Sequence, residues 1–405
     1  MNASRREFLK KSTLASAGTL LVPHFLQALQ KDASGFSDNV TGQRLVVIQL
    51  SGGNDGLNTV VPYHNDIYYQ LRPQLAIPKQ EVFQLDDDLG LHPSLKGIKQ
   101  LYDEGLVSVI NNVGYPNPDR SHFRSMDIWH TGSAADEYLT TGWIGRYLDA
   151  ACQGSCQPYE AIEVDDSLSL ALKGKSVKGI AVRMPQKLYN STKNRKLADL
   201  VENYQQNQHD EHTNVGYLYK TMIETFSSAE YIYEHSKIYQ TKLDYPPGKF
   251  ANQLKTVADL INSGAGIKVY YVSLSGFDTH AGQEGKQKRH LSTYADAVKV
   301  FVDDLKQNNT LDDTLIMTFS EFGRRVKENA SGGTDHGTAN NVFMMGGRLK
   351  KPGIYNASPD LTNLENGDLQ YAVDFRSIYA TLLSQWLTMD DQQILQDQFE
   401  HLKFI

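Results

Sequence analysis

The sequence predicts an α/β domain built on a mainly parallel central β-sheet with helices on both faces. Short apolar runs typical of buried strands alternate with segments of helical periodicity over about three hundred residues, which is the pattern of such folds. Hydrophobic residues make up 40% and charged residues 21% of the 405 residues, as in globular proteins with a sizeable core. The length permits one large domain or two smaller ones, and we assign residues 44–405 to one α/β domain.

The N-terminal segment resembles a twin-arginine export signal. Arg5 and Arg6 stand in S-R-R-E-F-L-K, and a moderately apolar stretch broken by Pro23 runs from Leu14 to Leu29. That stretch is too short and too interrupted to span a membrane stably, so we expect no transmembrane span in the mature protein. An ordinary amphipathic helix with two arginines is the alternative. The resemblance implies recognition by the twin-arginine export machinery and a periplasmic or other extracytoplasmic location.

The net charge of the chain limits the kinds of partner it is expected to bind. We assign residues 1–33 to the signal peptide and the polar residues 34–43 to a linker. The whole chain has a formal net charge of −7, and loss of residues 1–33, with five basic and two acidic side chains, would bring it to −10. No basic surplus is then available to neutralise phosphates, which speaks against a nucleic-acid partner.

The two cysteines, Cys152 and Cys156, stand close together in C-Q-G-S-C. In an oxidising compartment they would close a small disulfide loop, and two free thiols are the alternative. Zinc binding needs more thiolates or histidines than this stretch contains.

The first half of the domain contains three predicted strands and three predicted helices. The strands are short apolar runs, and the helices carry apolar side chains three and four residues apart, as at Leu95, Ile98 and Leu101. An irregular stretch rich in Tyr, Pro and Asp separates the first strand from the first helix. In chain order the elements are strand 44–50, helix 94–104, strand 106–110, helix 122–131, helix 143–151 and strand 160–164.

The second half begins with a change of composition. Residues 185–248 are polar and helix-forming and end in P-P-G, so we predict a helical insertion that serves as a cap or lid over the sheet. After it, apolar side chains at helical spacing alternate again with buried-strand runs. These elements are helix 250–262, strand 269–274, helix 287–307, strand 315–319 and a further apolar run at 341–345.

Polar side chains stand at the ends of several predicted strands. Asp55 follows the first strand in S-G-G-N-D-G, and Asp278 and His280 follow strand 269–274 in S-G-F-D-T-H. Glu321 follows strand 315–319, and His336 precedes the next apolar run. Each has an ordinary alternative as a turn or cap residue, yet open α/β sheets place ligands at these ends. Oxygen and nitrogen donors suit Zn, Mn, Mg or Ca, and the pattern predicts a metal-assisted hydrolytic site.

Ser121 stands directly before helix 122–131, after two prolines that keep the chain extended. A hydroxyl there meets the positive end of the helix dipole and free N–H groups that favour anions. A simple helix cap, formed by Ser121 or Asp119, is the alternative interpretation.

Several motifs occur together in a fixed order. They are the twin-arginine start, S-G-G-N-D-G-L-N-T-V-V-P, R-S-H-F, G-F-D-T-H, S-E-F-G-R and D-H-G-T-A. In this order and over nearly its whole length the chain resembles the sulfatase-like domain-of-unknown-function fifteen-oh-one family, within the alkaline phosphatase superfamily. The resemblance implies an alkaline phosphatase-like α/β fold and brings no proven activity.

The resemblance to the wider superfamily also implies roles for individual residues. Ser121 would be the nucleophile, and one or two divalent ions would have the ligands Asp55, Asp278, His280, Glu321 and His336. Asp335 would support a ligand, and the substrate would contact Asn54, Arg120, Arg124 and Arg324.

The chain also departs from the superfamily pattern. Phe322 stands where a metal histidine would follow, which removes a ligand, and the C/S-x-P-x-R motif of formylglycine sulfatases is missing. We place His122 beside Ser121 as a catalytic candidate. A replacement ligand, an acid/base and a structural role all remain open for it.

These expectations support two functions. The first is an exported metal-dependent hydrolase of phosphate or sulfate esters, acting on an anionic small molecule or a polysaccharide ester. The second is a non-catalytic binding or assembly protein of the cell envelope, on the same fold with a degraded metal site.

Overall fold

The computed structural model of the chain describes residues 42–152, 157–193 and 214–405. Residues Gln43–Ser191 and Ile223–Ile405 belong to one compact unit, and Thr192–Met222 belong to a second. The predicted signal peptide, most of the predicted linker and Cys156 lie outside the described residues.

Strands and helices alternate along the described chain. The strands are β1 (Arg44–Ser51), β2 (Val60–Val61), β3 (Phe83–Gln84), β4 (Gly90–Leu91), β5 (Val107–Gly114), β6 (Ala161–Glu163), β7 (Ile180–Ala181), β8 (Val269–Ser275), β9 (Thr314–Phe319), β10 (Asn340–Met345), β11 (Gly353–Ile354), β12 (Leu364–Glu365), β13 (Asp368–Leu369) and β14 (Val373–Asp374). The helices are α1 (Asp66–Leu71), α2 (Lys96–Asp103), α3 (His122–Thr131), α4 (Trp143–Cys152), α5 (Pro185–Thr192), α6 (Asn214–Ile238), α7 (Lys249–Asn262), α8 (Gln283–Gln307), α9 (Phe375–Thr381) and α10 (Asp391–Leu395).

The central sheet has nine strands in the order β11-β5-β10-β9-β1-β8-β6-β7, with β14 also paired to β5. β1 lies in the middle and pairs in parallel with β8 and β9. β10 is antiparallel to both of its neighbours, β9 and β5. The other pairings in this sheet are parallel, so the predicted α/β class with a mainly parallel sheet is confirmed.

Helices cover both faces of the sheet because alternate residues of β1 point to opposite sides. Val46 and Ile48 pack in one apolar core with residues of α2, α7 and α8. Leu45 and Val47 pack in the other core with residues of α3, α4 and α9. A strand buried on both faces reads as a continuous apolar run, and this explains why β1 is evident in the sequence.

Two differences from the predicted elements affect the site. α8 begins at Gln283, four residues before the predicted start, and its first residues come directly after the loop that carries His280. Residues 60–91, predicted to be irregular, contain α1 and a small sheet of β2, β4 and β3. The strands of this small sheet are two residues long, which is too short for periodicity to reveal them.

The predicted insertion at 185–248 begins with α5 and contains α6, and residues 239–248 are not helical. Residues 194–213 are outside the described part, so its role as a cap stays a prediction. Among the described residues, none of the helices is both long enough and apolar enough to cross a membrane.

Candidate functional site

One edge of the sheet gathers the polar loops. β1, β8 and β9 are parallel, so their carboxyl ends meet at this edge, where Asp278 and His280 follow β8 and Glu321 follows β9. Because β10 is antiparallel to β9, its N-terminal end reaches the same edge and brings His336 with it. His122, the first residue of α3, completes the group.

Four side chains converge at this edge, and we call them the imidazole cluster: His122, Asp278, His280 and His336. Oδ1 of Asp278 lies 3.5 Å from Nε2 of His122, 3.1 Å from Nε2 of His280 and 3.4 Å from Nε2 of His336. The Nε2 atoms of His280 and His336 are 2.9 Å apart. One ligand atom each from His122, Asp278 and His336 lie within 4.8 Å of one another, the arrangement expected of metal ligands.

The other ring nitrogen of each imidazole, Nδ1, contacts an acceptor that carries no hydrogen. Nδ1 of His122 donates to Glu321 Oε1 over 2.9 Å, and Nδ1 of His280 donates to Asp335 Oδ1 over 3.0 Å. Nδ1 of His336 donates to the carbonyl oxygen of Arg120 over 2.7 Å. Since a carboxylate or a carbonyl only accepts, these contacts assign the proton to Nδ1 in each neutral ring.

This tautomer leaves three Nε2 lone pairs directed at one another and at a carboxylate oxygen. Two lone pairs 2.9 Å apart repel unless a positive charge lies between them. Nε2 of His122 is buried and has no hydrogen-bond partner among the described residues, which is costly for a nitrogen acceptor. The cluster therefore has the electrostatics of a cation site.

The separations also fit such an ion. A tetrahedral zinc site with bonds of about 2.0–2.1 Å places its ligand atoms about 3.3 Å apart. The three distances from Asp278 Oδ1 range from 3.1 to 3.5 Å. An imidazole ring held through Nδ1 by a carboxylate or carbonyl is the usual arrangement around a histidine that binds metal. The donor set and its support therefore suit a divalent metal.

The acidity of two groups follows from these contacts. Burial of Asp278 acts to raise its pKa, but the hydrogen bond and charge of Arg324 outweigh it and hold the pKa at about 2. The hydrogen bond to Glu321 raises the pKa of His122. Asp278 is thus ionised over the physiological range and available as an anionic ligand.

Arg324 binds together the loops that form the site. Its side chain is fully buried and donates to Asp278 Oδ1 over 2.7 Å. The remaining bonds go to backbone carbonyls of the loops that follow β1 and β8 and of the turn before β10, namely those of Gly52, Gly53, Phe277 and Thr334. We predicted a substrate contact for Arg324, but the structure uses its donors within the protein.

Ser121 lies at the N-cap position of α3, as predicted, and it is exposed. Within the described chain its hydroxyl makes no capping bond to the helix, and its N–H donates to Asp119 Oδ1 over 2.6 Å. Its chain neighbours both touch the imidazole cluster, His122 through its ring and Arg120 through its carbonyl. Ser121 thus stands in the chain between two residues that contact the cluster, and its hydroxyl is not engaged as a cap.

Two residues predicted at the end of β1 have other partners. Asp55 is fully buried and forms a 2.7 Å ion pair with Arg72 in the segment after α1. Asn54 is also buried, and its side-chain amide bonds to Thr59 and Gln287. The structure does not bring Asp55 into the imidazole cluster, and it does not leave Asn54 exposed to a substrate.

The other predicted residues lie around the cluster. Glu321 is buried behind His122. It accepts hydrogen bonds from Nδ1 of His122 and, over 2.8 Å, from the N–H of Gly52, so it holds the His122 ring in place. Arg124 donates to the carbonyls of residues 134, 135 and 137. The Arg120 guanidinium is 40% exposed and pairs with Asp368.

Sequence reasoning missed two supporting residues. Asn329 donates to Asp335 Oδ1 over 3.1 Å and to the carbonyl of His280 over 2.9 Å. Asp368 is buried and pairs with Arg120 from more than two hundred positions away in the chain. The Asn in E-N-A-S-G-G is a turn signal that would have located Asn329, whereas no local pattern identifies Asp368.

The comparison with protein families gives one match. Residues 42–401 match the profile of a family described as "Protein of unknown function (DUF1501)". No curated protein matches the chain significantly in sequence. The chemistry of this chain must therefore be argued from its own residues.

Several solved structures resemble the chain. PsFucS1 sulfatase from Pseudoalteromonas sp. has 13% identity over 98% of this chain and 75% of its own, with a TM-score of 0.38. The lipoteichoic acid synthase LtaP from Listeria monocytogenes has 10% identity over 81% of this chain and 73% of its own, with a TM-score of 0.36. Alkaline phosphatase from the Antarctic bacterium TAB5 has 10% identity over 75% of this chain and 91% of its own, with a TM-score of 0.32.

Proposed function

Because the chain belongs to the DUF1501 family, whose members are described as proteins of unknown function, we propose a function from the site itself. The protein is proposed to be an exported, metal-dependent hydrolase of phosphate or sulfate esters. Its metal ligands are His122, Asp278, His280 and His336, and Ser121 is its nucleophile. The motif resemblance to the alkaline phosphatase superfamily supports the same reaction class.

The observation that carries this proposal is the direction of the three imidazoles. Each Nδ1 donates to an acceptor, and each Nε2 faces Asp278 Oδ1 at 3.1 to 3.5 Å. With neutral rings this set has one negative charge, on Asp278, which Arg324 also contacts, and no hydrogen lies between the facing Nε2 atoms. A divalent cation satisfies all four ligands at once.

The set of donor atoms also narrows the choice of metal. Three imidazole nitrogens and one carboxylate suit zinc or manganese better than magnesium or calcium, which prefer oxygen ligands. Asp55, predicted as a further ligand, is fully buried against Arg72 and is not one of the side chains that converge in the imidazole cluster. We therefore propose one ion, with His122 as the replacement ligand among the three roles left open for it.

A bound cation would supply positive charge for the ester oxygens and favour ionisation of a nearby hydroxyl. Ser121 Oγ forms the new bond to phosphorus or sulfur, and its proton leaves with the departing alcohol. Water then releases the transferred group from the serine. The free N–H groups of the first turn of α3 favour the anionic ester, and Glu321 and Asp335 keep their histidine rings in place.

Export rests on the N-terminal resemblance, because residues 1–33 lie outside the described part of the chain. A protein translocated by the twin-arginine route would act in the periplasm or another extracytoplasmic space on an anionic ester. Two of the three arginines predicted to hold that ester, Arg124 and Arg324, have carbonyl partners. Charge recognition would then depend on the cation and on Arg120.

Metal content tests the ligand set. Wild-type protein purified without chelators is expected to contain about one equivalent of zinc or manganese, and Asp278→Ala is expected to contain almost none. Asp136→Ala, which removes an exposed carboxylate elsewhere, is the control and should keep the metal. Metal-free wild-type protein that also fails to take up zinc or manganese would sink the proposal and favour the non-catalytic envelope protein.

Turnover tests the reaction. The metal-loaded protein is expected to release 4-nitrophenol from 4-nitrophenyl phosphate or sulfate, and Ser121→Ala should lower the rate by at least a hundredfold. Ser176→Ala, at an exposed serine elsewhere, should leave the rate unchanged. Equal rates in Ser121→Ala and wild type would exclude Ser121 as the nucleophile.

A further inference from the structure

A cavity of about 380 Å³ opens where β5 ends and β14 begins. We call it the amide cavity, because four of its lining residues carry side-chain amides: Asn112, Asn356, Asn363 and Gln370. Its volume is within the range of small-molecule sites. Nothing in the proposed ester chemistry uses it.

Asn112 lines the amide cavity where the pairing of β5 with β10 is irregular. Its φ of 52° is in the left-handed region, which asparagine adopts more readily than most residues. Its Oδ1 is buried with no hydrogen-bond partner in the described structure, so a ligand in the cavity does not reach that atom. The ligand contacts are therefore sought among the exposed residues of the lining.

The other walls offer donors, acceptors and an aromatic ring. Gln370 Nε2 donates to Asn363 Oδ1 over 3.0 Å, which leaves the Gln370 carbonyl and the Asn363 amino group facing solvent. Tyr371 is 41% exposed, unusually so for an aromatic side chain in this protein. Asn356 is held in the cavity wall by two hydrogen bonds to the backbone of Asn111. Its Oδ1 accepts from the N–H over 2.8 Å, and its Nδ2 donates to the C=O over 2.9 Å.

The charge of the lining excludes an anionic group. None of the residues that line the cavity is a lysine, arginine or histidine, and Asp360 contributes a carboxylate. Amides that both donate and accept, next to an aromatic face, match the hydroxyls and the C–H face of a sugar ring. The amide cavity is thus complementary to a neutral polyhydroxylated group.

Hydrogen bonds link the wall of the cavity to the imidazole cluster. Leu369, Gln370 and Tyr371 in its wall directly follow Asp368, which pairs with Arg120, whose carbonyl holds His336. The hydroxyl of Thr338, two residues after His336, donates to the carbonyl of Leu369. The wall of the cavity is therefore anchored to both chain segments that supply histidines at this side of the site.

We propose that the amide cavity binds a neutral sugar unit, with Asn363, Gln370 and Tyr371 as its principal contacts. In the natural substrate this unit is the saccharide next to the ester group, so the enzyme acts on a sugar ester of a glycan. The binding of the sugar stands on the cavity alone, whereas its place in the substrate rests on the proposed function.

Binding of neutral sugars tests this site directly. The probes are the methyl glycosides of glucose, galactose, mannose and N-acetylglucosamine, at up to about 20 mM, since single sugars commonly bind with millimolar Kd values. Saturation-transfer NMR on the full protein detects such weak binding. At least one glycoside is expected to bind saturably, and Tyr371→Ala and Gln370→Ala should each weaken its binding at least fivefold.

The variants are chosen so that the outcomes separate. Gln370 and Tyr371 are both exposed, so their replacement leaves the core in place. Tyr138→Ala removes a tyrosine that is 78% exposed outside the cavity and is the matched control. His336→Ala should keep sugar binding while losing metal, so failure of the ester chemistry would leave the cavity intact. The proposal is overturned if no glycoside binds, or if binding persists unchanged in both cavity variants.

Discussion

The three histidines of the imidazole cluster are held in three different ways. His122 donates to a fully buried carboxylate, His280 to an exposed one and His336 to a backbone carbonyl. A buried carboxylate donates most electron density to the ring and restricts its rotation most strongly, because little water competes for it. His122 should therefore be the most basic of the three ligands.

This asymmetry predicts that Glu321→Gln weakens metal binding. A neutral amide still fills the space, but it no longer increases the basicity of His122, and loss of such support typically costs 10- to 100-fold in affinity. Zinc affinity, measured by competition with a chromophoric chelator, should fall by about that factor. Glu365→Gln, at an exposed glutamate, is the control. Equal affinities for Glu321→Gln and wild type would show that Glu321 has no role in orienting the ligand.

A second carboxyl group, Glu163 at the end of β6, makes stability depend on pH. Burial raises its pKa from the ordinary 4.5 to about 7, although the N–H of Ser169 and the charge of Lys173 act in the opposite direction. The folded protein therefore holds a proton that the unfolded chain releases. That contribution to stability is full below pH 4.5 and is lost as pH rises through about 7.

Glu163→Gln should remove this pH dependence. Over that interval the wild-type free energy of unfolding should fall by about 3 kcal/mol relative to the variant. Urea denaturation at several pH values between 4.5 and 7.5 measures the difference, with exposed Glu400→Gln as the control. Parallel curves for Glu163→Gln and wild type would contradict a raised pKa at this position.

Individual residues also show how much of the site could be predicted from the sequence. Asp278, His280 and His336 were predicted together because each stands at a strand end, and the sheet brings such ends to one edge. Asp55 meets the same criterion, yet its charge is neutralised by Arg72. Arg72 follows a six-residue helix with no apolar periodicity, so this pairing depends on tertiary structure and no local pattern reveals it.

At the scale of elements, buried strands were predictable and the direction of one was not. β1, β8 and β9 are continuous apolar runs because helices cover both faces of the sheet. β10 has the same composition, but it is antiparallel to both neighbours. Direction is decided by the connection, here the polar loop 320–339, which returns the chain beside β9 without a crossover helix. That reversal brings His336 to the edge with Asp278.

The loops at this edge depend on Arg324, and removing it should destabilise the fold. Arg324→Met leaves Asp278 without its nearest cation and leaves four backbone carbonyls without a donor. Breaking a buried charged network by removing one partner costs about 3–5 kcal/mol. Urea denaturation of the metal-free protein should show a loss of that size.

Arg325→Met provides a matched control at the next position. Its side chain is 36% exposed and lies 3.6 Å from Asp368, and exposed ion pairs contribute about 0–1 kcal/mol. The loss in Arg325→Met should therefore be within about 1 kcal/mol. Equal losses in the two variants would mean that Arg324 does not tie the loops together.

At the scale of the whole molecule, the site and the two cores share the same strands. β1, β8 and β9 form the centre of both apolar cores, and the loops at their carboxyl ends form the imidazole cluster. Four ligands from the end of β8, the start of α3 and the turn before β10 come together only when the sheet is formed. Metal binding should therefore be linked to folding of the entire unit.

This linkage predicts that chelation lowers the melting temperature of the wild-type protein. A ligand that binds only the folded state at a hundred times its Kd stabilises by about 2.7 kcal/mol, and a shift in Tm of a few degrees follows for a protein of this size. Differential scanning fluorimetry with and without EDTA should show this fall in wild type and none in Asp278→Ala, whose ligand set is incomplete. Asp136→Ala should fall as wild type does, because its exposed carboxylate is outside the cluster. If EDTA shifts wild type and Asp278→Ala equally, the metal lies elsewhere in the molecule; if EDTA shifts neither, the three Nε2 atoms share a proton in place of a metal.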